Sequence, residues 1–250
     1  MLNLYCYGNK KQCQLNKMED AIYVGDINDY FVFMVADANG GQVGSINIGQ
    51  LSVNIMLNYL KKVIQEHTSV HDIQQSLDTG FYLVSQALLS INAIDVKYEN
   101  IYCSLSVLII SKTSFQTVYG SIGNTEIQMV RNGKFNRVNR VHSETYEALM
   151  NHEIEEKDFY IDPRRAILTS ALGIFEDPKT DILYIGALHE NDIILMTTDG
   201  IYRYITPDKV IEILATASSI EDGVNSVLDK VDEEGGEDNA SLIVIHLYDR

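Results

Sequence analysis

The sequence predicts an α+β fold in which antiparallel sheets pack together and are covered by pairs of helices. Three observations carry this. Four strand-like runs follow one another after Cys103, two helical stretches adjoin each other between residues 45 and 89, and two more precede a final strand-like run. A chain of 250 residues, 46% of them hydrophobic, can bury a sizeable core. No repeat, low-complexity tract or linker divides it, so a single domain over 1–250 is expected.

Leu4 to Tyr7, Ala21 to Gly25 and Tyr30 to Ala36 are rich in aromatic and β-branched residues and read as strands. Asp26, Asn28 and Asp29 lie between the last two and suit a hairpin turn. From about Ser45 to Ile64 the apolar residues Ile48, Leu51, Ile55, Tyr59 and Val63 step by three or four, the period of one helix face. A second helix is predicted from about His71 to Leu89, with Ile73, Leu77, Phe81, Val84 and Leu88 on its buried face.

Ser104 to Ile110, Ser114 to Ile122, Glu126 to Arg131 and Lys134 to Asn139 are the four consecutive strands. Asn132-Gly133 joins the last two, and both residues tolerate the positive φ of a two-residue hairpin. The polar stretch from Ser143 to Arg165 lacks clear periodicity and reads as a loop or an excursion from the core. Strands resume at Ala166 to Thr169, Ile182 to Ala187 and Ile193 to Thr198. Thr206-Pro207-Asp208 is an N-cap followed by proline, opening a helix to about Ala215. Ile220 to Val231 is a further helix, and Ser241 to Leu247 the closing strand.

Acidic residues outnumber basic ones 35 to 19, a formal charge of -16. That sign repels phosphate backbones and anionic bilayers, so neither nucleic acid nor membrane is an expected partner. No apolar run approaches the roughly 20 residues that span a bilayer. The N-terminal stretch lacks the basic start and long apolar segment of a secretory signal. Cys6, Cys13 and Cys103 are odd in number and form no metal-ligand pair, which suits reduced thiols in a cytoplasmic protein.

Four aspartates stand at the ends of apolar runs beside glycines or turns: Asp20, Asp37, Asp199 and Asp238. Each alone is an ordinary turn or cap residue. Gathered at one point they would repel one another unless hard dications neutralised them, and Mg²⁺ and Mn²⁺ prefer such oxygen donors. His67 and His71 are four apart but straddle a predicted helix junction, which argues against a shared metal-binding face. His142, just before the excursion, is the histidine placed nearest to candidate chemistry.

These residues resemble the motifs of the PP2C-like (PPM) metal-dependent Ser/Thr protein phosphatases, in order and over nearly the whole chain. Met18-Glu19-Asp20-Ala21 is similar to that family's first acidic motif, and Val35 to Gly41 to its Asp-Gly-x-Gly-Gly element. Tyr119 to Thr125 with the Asn132-Gly133 hairpin resembles a Gly-Asp-Ser strand pair, and His142-Ser143 falls at an Asp-His-Ser position. Ala166 to Gly173 resembles a family segment ahead of the next strand pair. Asn191 to Gly200 resembles the Ser-Asp-Gly motif, and Gly236 to Ser241 the terminal Asp-Asn motif.

The resemblance implies a four-layer αββα sandwich of two antiparallel sheets flanked by helix pairs, with a flap-like excursion at about 143–165. It implies two Mn²⁺ or Mg²⁺ ions, a bridging hydroxide that attacks phosphorus in line, phosphorylated protein as substrate and an opposing Ser/Thr kinase. By position, Asp37 would bridge the ions, the Ala38 carbonyl would bind one, and Asp199 with Asp238 the other. Asp20 and Glu19 would hold ion-bound waters.

The sequence departs from the family at four places. Leu15 stands where an arginine pairs with substrate phosphate, leaving Lys17, or Lys10 and Lys11, to supply positive charge. Ala38 replaces a glycine. Gly123-Asn124-Thr125 replaces Gly-Asp-Ser, so a third metal site is expected to be weak or absent. Tyr102-Cys103-Ser104-Leu105 brings a tyrosine beside the site. Two functions are therefore weighed: a metal-dependent Ser/Thr phosphatase, and a weak or inactive pseudophosphatase that binds a phosphoprotein or partner.

Overall fold

The computed structural model describes residues 2–40, 42–43, 46–94, 100–174 and 176–249. Gly41 of the Val35–Gly41 motif and Ser45 at the predicted helix start lie outside them. Strands β1 (Leu2–Lys11), β2 (Ala21–Ile27) and β3 (Tyr30–Asn39) come first, followed by the two-residue strands β4 (Gln42–Val43) and β5 (Ile46–Asn47). Helices α1 (Ile48–Val63) and α2 (Val70–Asn92) follow. Then come β6 (Tyr102–Ser111), β7 (Gln116–Ile122), β8 (Glu126–Arg131), β9 (Lys134–Arg137) and helix α3 (Glu144–Met150). The last elements are β10 (Asp181–Ala187), β11 (Ile193–Thr197), α4 (Asp199–Tyr202), α5 (Pro207–Thr216), α6 (Ile220–Glu233) and β12 (Ala240–Asp249).

Two five-stranded antiparallel sheets form, ordered β1-β12-β11-β8-β9 and β10-β7-β6-β3-β2. Side-chain parity explains how they stack. In β3, Val32, Met34 and Ala36 face the core under α1 and α2, whereas Phe33 and Val35 face the other sheet. In β12, Ile243, Ile245 and Leu247 join Phe33 and Val35 between the sheets, and Leu242 and Val244 turn to α5 and α6. Strands covered on both faces carry unbroken apolar runs, as these do over Tyr30 to Ala36 and Leu242 to Ile245. Three apolar layers separate four structural layers, the αββα arrangement. Each large side chain so buried contributes about 1.5–3 kcal/mol.

The turns and caps are largely those the sequence predicts. Asn132 and Gly133 both have positive φ, at 53° and 72°, between β8 and β9. Thr206 caps α5 by accepting the Lys209 N–H, with Pro207 in the first turn. His67 falls in the junction between α1 and α2 and also has positive φ, so it shares no helical face with His71. Among the described residues no helix is long and apolar enough to cross a membrane.

Three expectations need correction. Asp26 lies in β2 and not in the following turn. The excursion from Ser143 is not mere loop: α3 and two 3-10 turns, Glu156–Asp158 and Pro163–Ala166, fill it. No strand spans Ala166 to Thr169, where Leu168 makes an isolated bridge to Ser143, because Pro163 and the Asp162 cap wind the preceding residues into a 3-10 turn.

Candidate active site

One end of the sandwich gathers the end of β3, the end of β11 and the starts of β2 and β12. Glu19, Asp37, Ala38, Asp199 and Asp238 line one cavity of about 140 Å³ there, with Asn124, Tyr102 and Arg203. Asp37 continues β3 opposite Ser104 of β6 and shares the parity of Phe33 and Val35, so it lies on the strand's inter-sheet side. Ala38 is held in the same strand opposite Cys103, an extended conformation that accepts a Cβ. Asp199 opens α4 directly after β11, and Asp238 precedes β12 by two residues.

Asp20 lies beneath this cavity, fully buried before β2. Its Oδ2 accepts from Thr198 Oγ1 at 2.8 Å and from Ser241 Oγ at 2.7 Å. Burial pushes its carboxyl up to about 7; the Ser241 and Thr198 hydroxyls pull it down, and the charges of Asp238 and Asp199 push it up. Asn239 fixes the acidic loop. Its Oδ1 accepts the backbone N–H of Glu19 at 2.5 Å and of Asp20 at 3.4 Å, while Nδ2 donates to the carbonyls of Gln12 and Lys17, both at 3.1 Å. Asn47, the cap of α1, donates to the Met18 carbonyl from the other side.

The electrostatics of the cavity are lopsided. Burial, followed by the neighbouring charges of Asp199, Asp20 and Asp238, raises the Asp37 carboxyl well above the ordinary range. Burial and Asp199 likewise raise Asp238, and burial and Asp238 raise Glu19. Arg203 is the one cationic side chain among the described residues lining the cavity. Its Nη2 meets Asp199 Oδ2 at 2.8 Å and its Nη1 meets Asp238 Oδ2 at 2.7 Å.

Asn124 also reaches Asp199: its Nδ2 donates to Oδ2 at 3.0 Å, and its Oδ1 accepts from Ser104 Oγ at 2.8 Å. An amide here is a donor to the aspartate and not a fifth carboxylate.

This donor set suits hard dications. Four carboxylates line the cavity against one guanidinium, and Asp37 receives no hydrogen bond from any described residue. Among the described residues, however, no three acidic, histidine or cysteine side chains are already closed round a point where an ion would rest. The Asp199–Asp238 half is spanned by Arg203.

The remaining candidates divide. Lys17 does not line the cavity, but its charge lowers the pKa of Glu19 against the upward push of burial. Lys10 donates to the Asp20 carbonyl at 2.7 Å, whereas Lys11 pairs with Asp229 and Asp232 of α6. His142 is buried; its Nδ1 accepts the Gly123 N–H at 3.0 Å and its Nε2 lies 3.2 Å from Asp181, so it braces the turn before Asn124. Sequence reasoning missed Arg203, although its spacing of four from Asp199 places both on one face of a helical turn.

No protein-family model matches the chain. It is 22% identical over 214 residues to the serine/threonine phosphatase stp of Listeria welshimeri, covering 86% of this chain and 83% of that protein. A serine/threonine phosphatase of S. agalactiae has the same fold, with a TM-score of 0.83 at 14% identity, covering 98% of this chain and 99% of the other. The catalytic domain of the phosphatase PstP, solved with two manganese ions, aligns over the whole of both chains with a TM-score of 0.77 at 16% identity.

Proposed function

The chain is a relative of the PP2C-like (PPM) Ser/Thr phosphatases, and from that kinship we propose that it hydrolyses phosphomonoesters on phosphorylated proteins with two Mn²⁺ or Mg²⁺ ions. The observation that carries the reading is the convergence of Asp37, Asp199, Asp238 and Glu19, from four distant segments, on one cavity. A cluster of like charges in a desolvated pocket costs stability unless a cation offsets it. Asp37, the Ala38 carbonyl, Asp199 and Asp238 would hold the ions, which supply a hydroxide nucleophile and offset charge developing on the phosphoryl oxygens.

The other residues set the stage for that chemistry. Asp20, gripped by the Thr198 and Ser241 hydroxyls, and Glu19, pinned through its backbone by Asn239, present carboxylates that orient water. Lys17 adds positive charge near Glu19 and would draw in a phosphate dianion. The chain acts as one domain, and 143–165 serves as a flap beside the site, since Ala166 and Leu168, which follow it directly, line the cavity. A cytoplasmic protein opposing a Ser/Thr kinase fits this chemistry.

A second reading, a pseudophosphatase that binds without turnover, is favoured by the guanidinium of Arg203 already spanning Asp199 and Asp238. Hydrolysis of p-nitrophenyl phosphate with Mn²⁺ separates the two. The enzyme reading expects turnover that falls about 100-fold or more in Asp199→Asn, which keeps the side chain's shape but loses its charge. No hydrolysis by folded, Mn²⁺-loaded wild type would overturn it in favour of the binding module.

A further inference from the structure

We propose that Arg203 is an internal cation that competes with the second dication for Asp199 and Asp238. The inference rests on the metal-dependent reading above and adds an order to it: one ion binds readily on the Asp37 side, and the other binds only by displacing a guanidinium.

The geometry is that of a bridge. One guanidinium nitrogen meets Asp199 at 2.8 Å and another meets Asp238 at 2.7 Å. Arg203 follows Asp199 by four residues, and its backbone N–H donates to the Asp199 carbonyl at 3.3 Å, so the α4 turn aims it back over its own aspartate. Asp238 arrives 35 residues later, ahead of β12.

A guanidinium is charged at any ordinary pH, so the bridge is an ion pair to both aspartates. A planar fork holds two carboxylates at once in a fixed geometry, whereas an ammonium on a flexible stem can touch two but holds them less rigidly. The pair is thus held together without metal, while the Asp37 carboxylate, partly buried at the cavity and unbonded by any described residue, is left for a dication. Arg203 is also partly solvent-exposed, so it can swing away when an ion takes its place.

The competition is read by calorimetric titration of the full chain with MnCl₂. Wild type should show a second ion at least about tenfold weaker than the first. Arg203→Ala and Arg203→Lys should both tighten the second ion, by about tenfold and by less, respectively. Arg203→Lys keeps the charge but loses the rigid fork, and it guards against a folding defect in the alanine variant. Without metal, Arg203→Ala should lower the Tm by about 4 °C, and saturating Mn²⁺ should restore it.

Lys209→Ala, which removes one charge on α5 that pairs with Glu212 and does not line the cavity, should change neither affinity. Equal second-ion affinities in wild type and both Arg203 variants would overturn the proposal, as would the same tightening in Lys209→Ala, which would make it an effect of net charge. Absence of Mn²⁺ binding by every protein would instead overturn the metal-dependent function itself, and this inference with it.

Discussion

Ser241 Oγ donates to Asp20 Oδ2 at 2.7 Å, joining residues 221 positions apart, and Thr198 Oγ1 donates to the same oxygen at 2.8 Å. Three segments that the site needs together are locked by one buried carboxylate. Ser241→Ala removes a donor from a group that water cannot reach, which should cost about 1–3 kcal/mol in denaturant unfolding. A change below a few tenths of that figure would mean that Asp20 is protonated and needs the hydroxyl little.

Gly200 packs against the next strand so tightly that a methyl on it would overlap the Asn239 carbonyl oxygen. The obstacle is backbone, not a mobile side-chain tip, and it belongs to the segment that presents Asp238. Gly200→Ala should therefore destabilise by about 3 kcal/mol or more and weaken Mn²⁺ binding together with it. Thermal unfolding with and without Mn²⁺ measures both. A variant with wild-type stability would show that the two segments can part without loss.

The extent to which this architecture was legible depends on how each signal is encoded. β3, β11 and β12 announce themselves because strands between two covered faces carry unbroken apolar runs, and α2 because 23 residues give many turns of period. The seven residues of α3 give two turns, too few for a period, and its cap, Ser143 accepting the Tyr146 N–H, is an ordinary serine until folded. The aspartates were legible as a set because each borders an apolar run, Asp37 and Asp199 after one and Asp20 and Asp238 before one. Arg203 was half legible: its spacing from Asp199 is local, but its second partner comes from the far side of α5 and α6.

The resemblance puts Leu15 where an arginine would offer phosphate a fork of donors, and the one guanidinium lining the cavity among the described residues is engaged by two carboxylates. Leu15 is partly buried, and its carbonyl accepts from Gln12 Nε2 at 2.6 Å, a bond that substitution of its side chain leaves in place. Leu15→Arg should raise kcat/KM for p-nitrophenyl phosphate about tenfold, the worth of one added charge-assisted hydrogen bond. Lys17→Ala should lower it by about threefold, as an exposed charge does. No change in either variant would mean that other groups hold the phosphate.

The excursion beside the site carries its own pH response. Asp162 accepts from Arg164 Nη2 at 2.8 Å, from the Arg164 backbone N–H at 2.9 Å and from Thr145 Oγ1 of α3 at 3.1 Å. The Arg164 side chain, then its backbone N–H, hold the Asp162 carboxyl well below the usual carboxylate range. A pKa lowered by folding adds stability above the unfolded value, about 4, and that stability is lost as pH falls through the folded value. The link between α3 and the Pro163–Ala166 turn should thus weaken under acid conditions while the sheets persist. Hydrogen exchange of the Glu144–Met150 amides, corrected for intrinsic rates, should keep its protection above about pH 4 and lose it progressively as the pH falls below that. In Asp162→Asn the same amides should be less protected already at the higher pH and change little on acidification. Parallel losses in both proteins would place the acid sensitivity elsewhere, in the global stability of the fold.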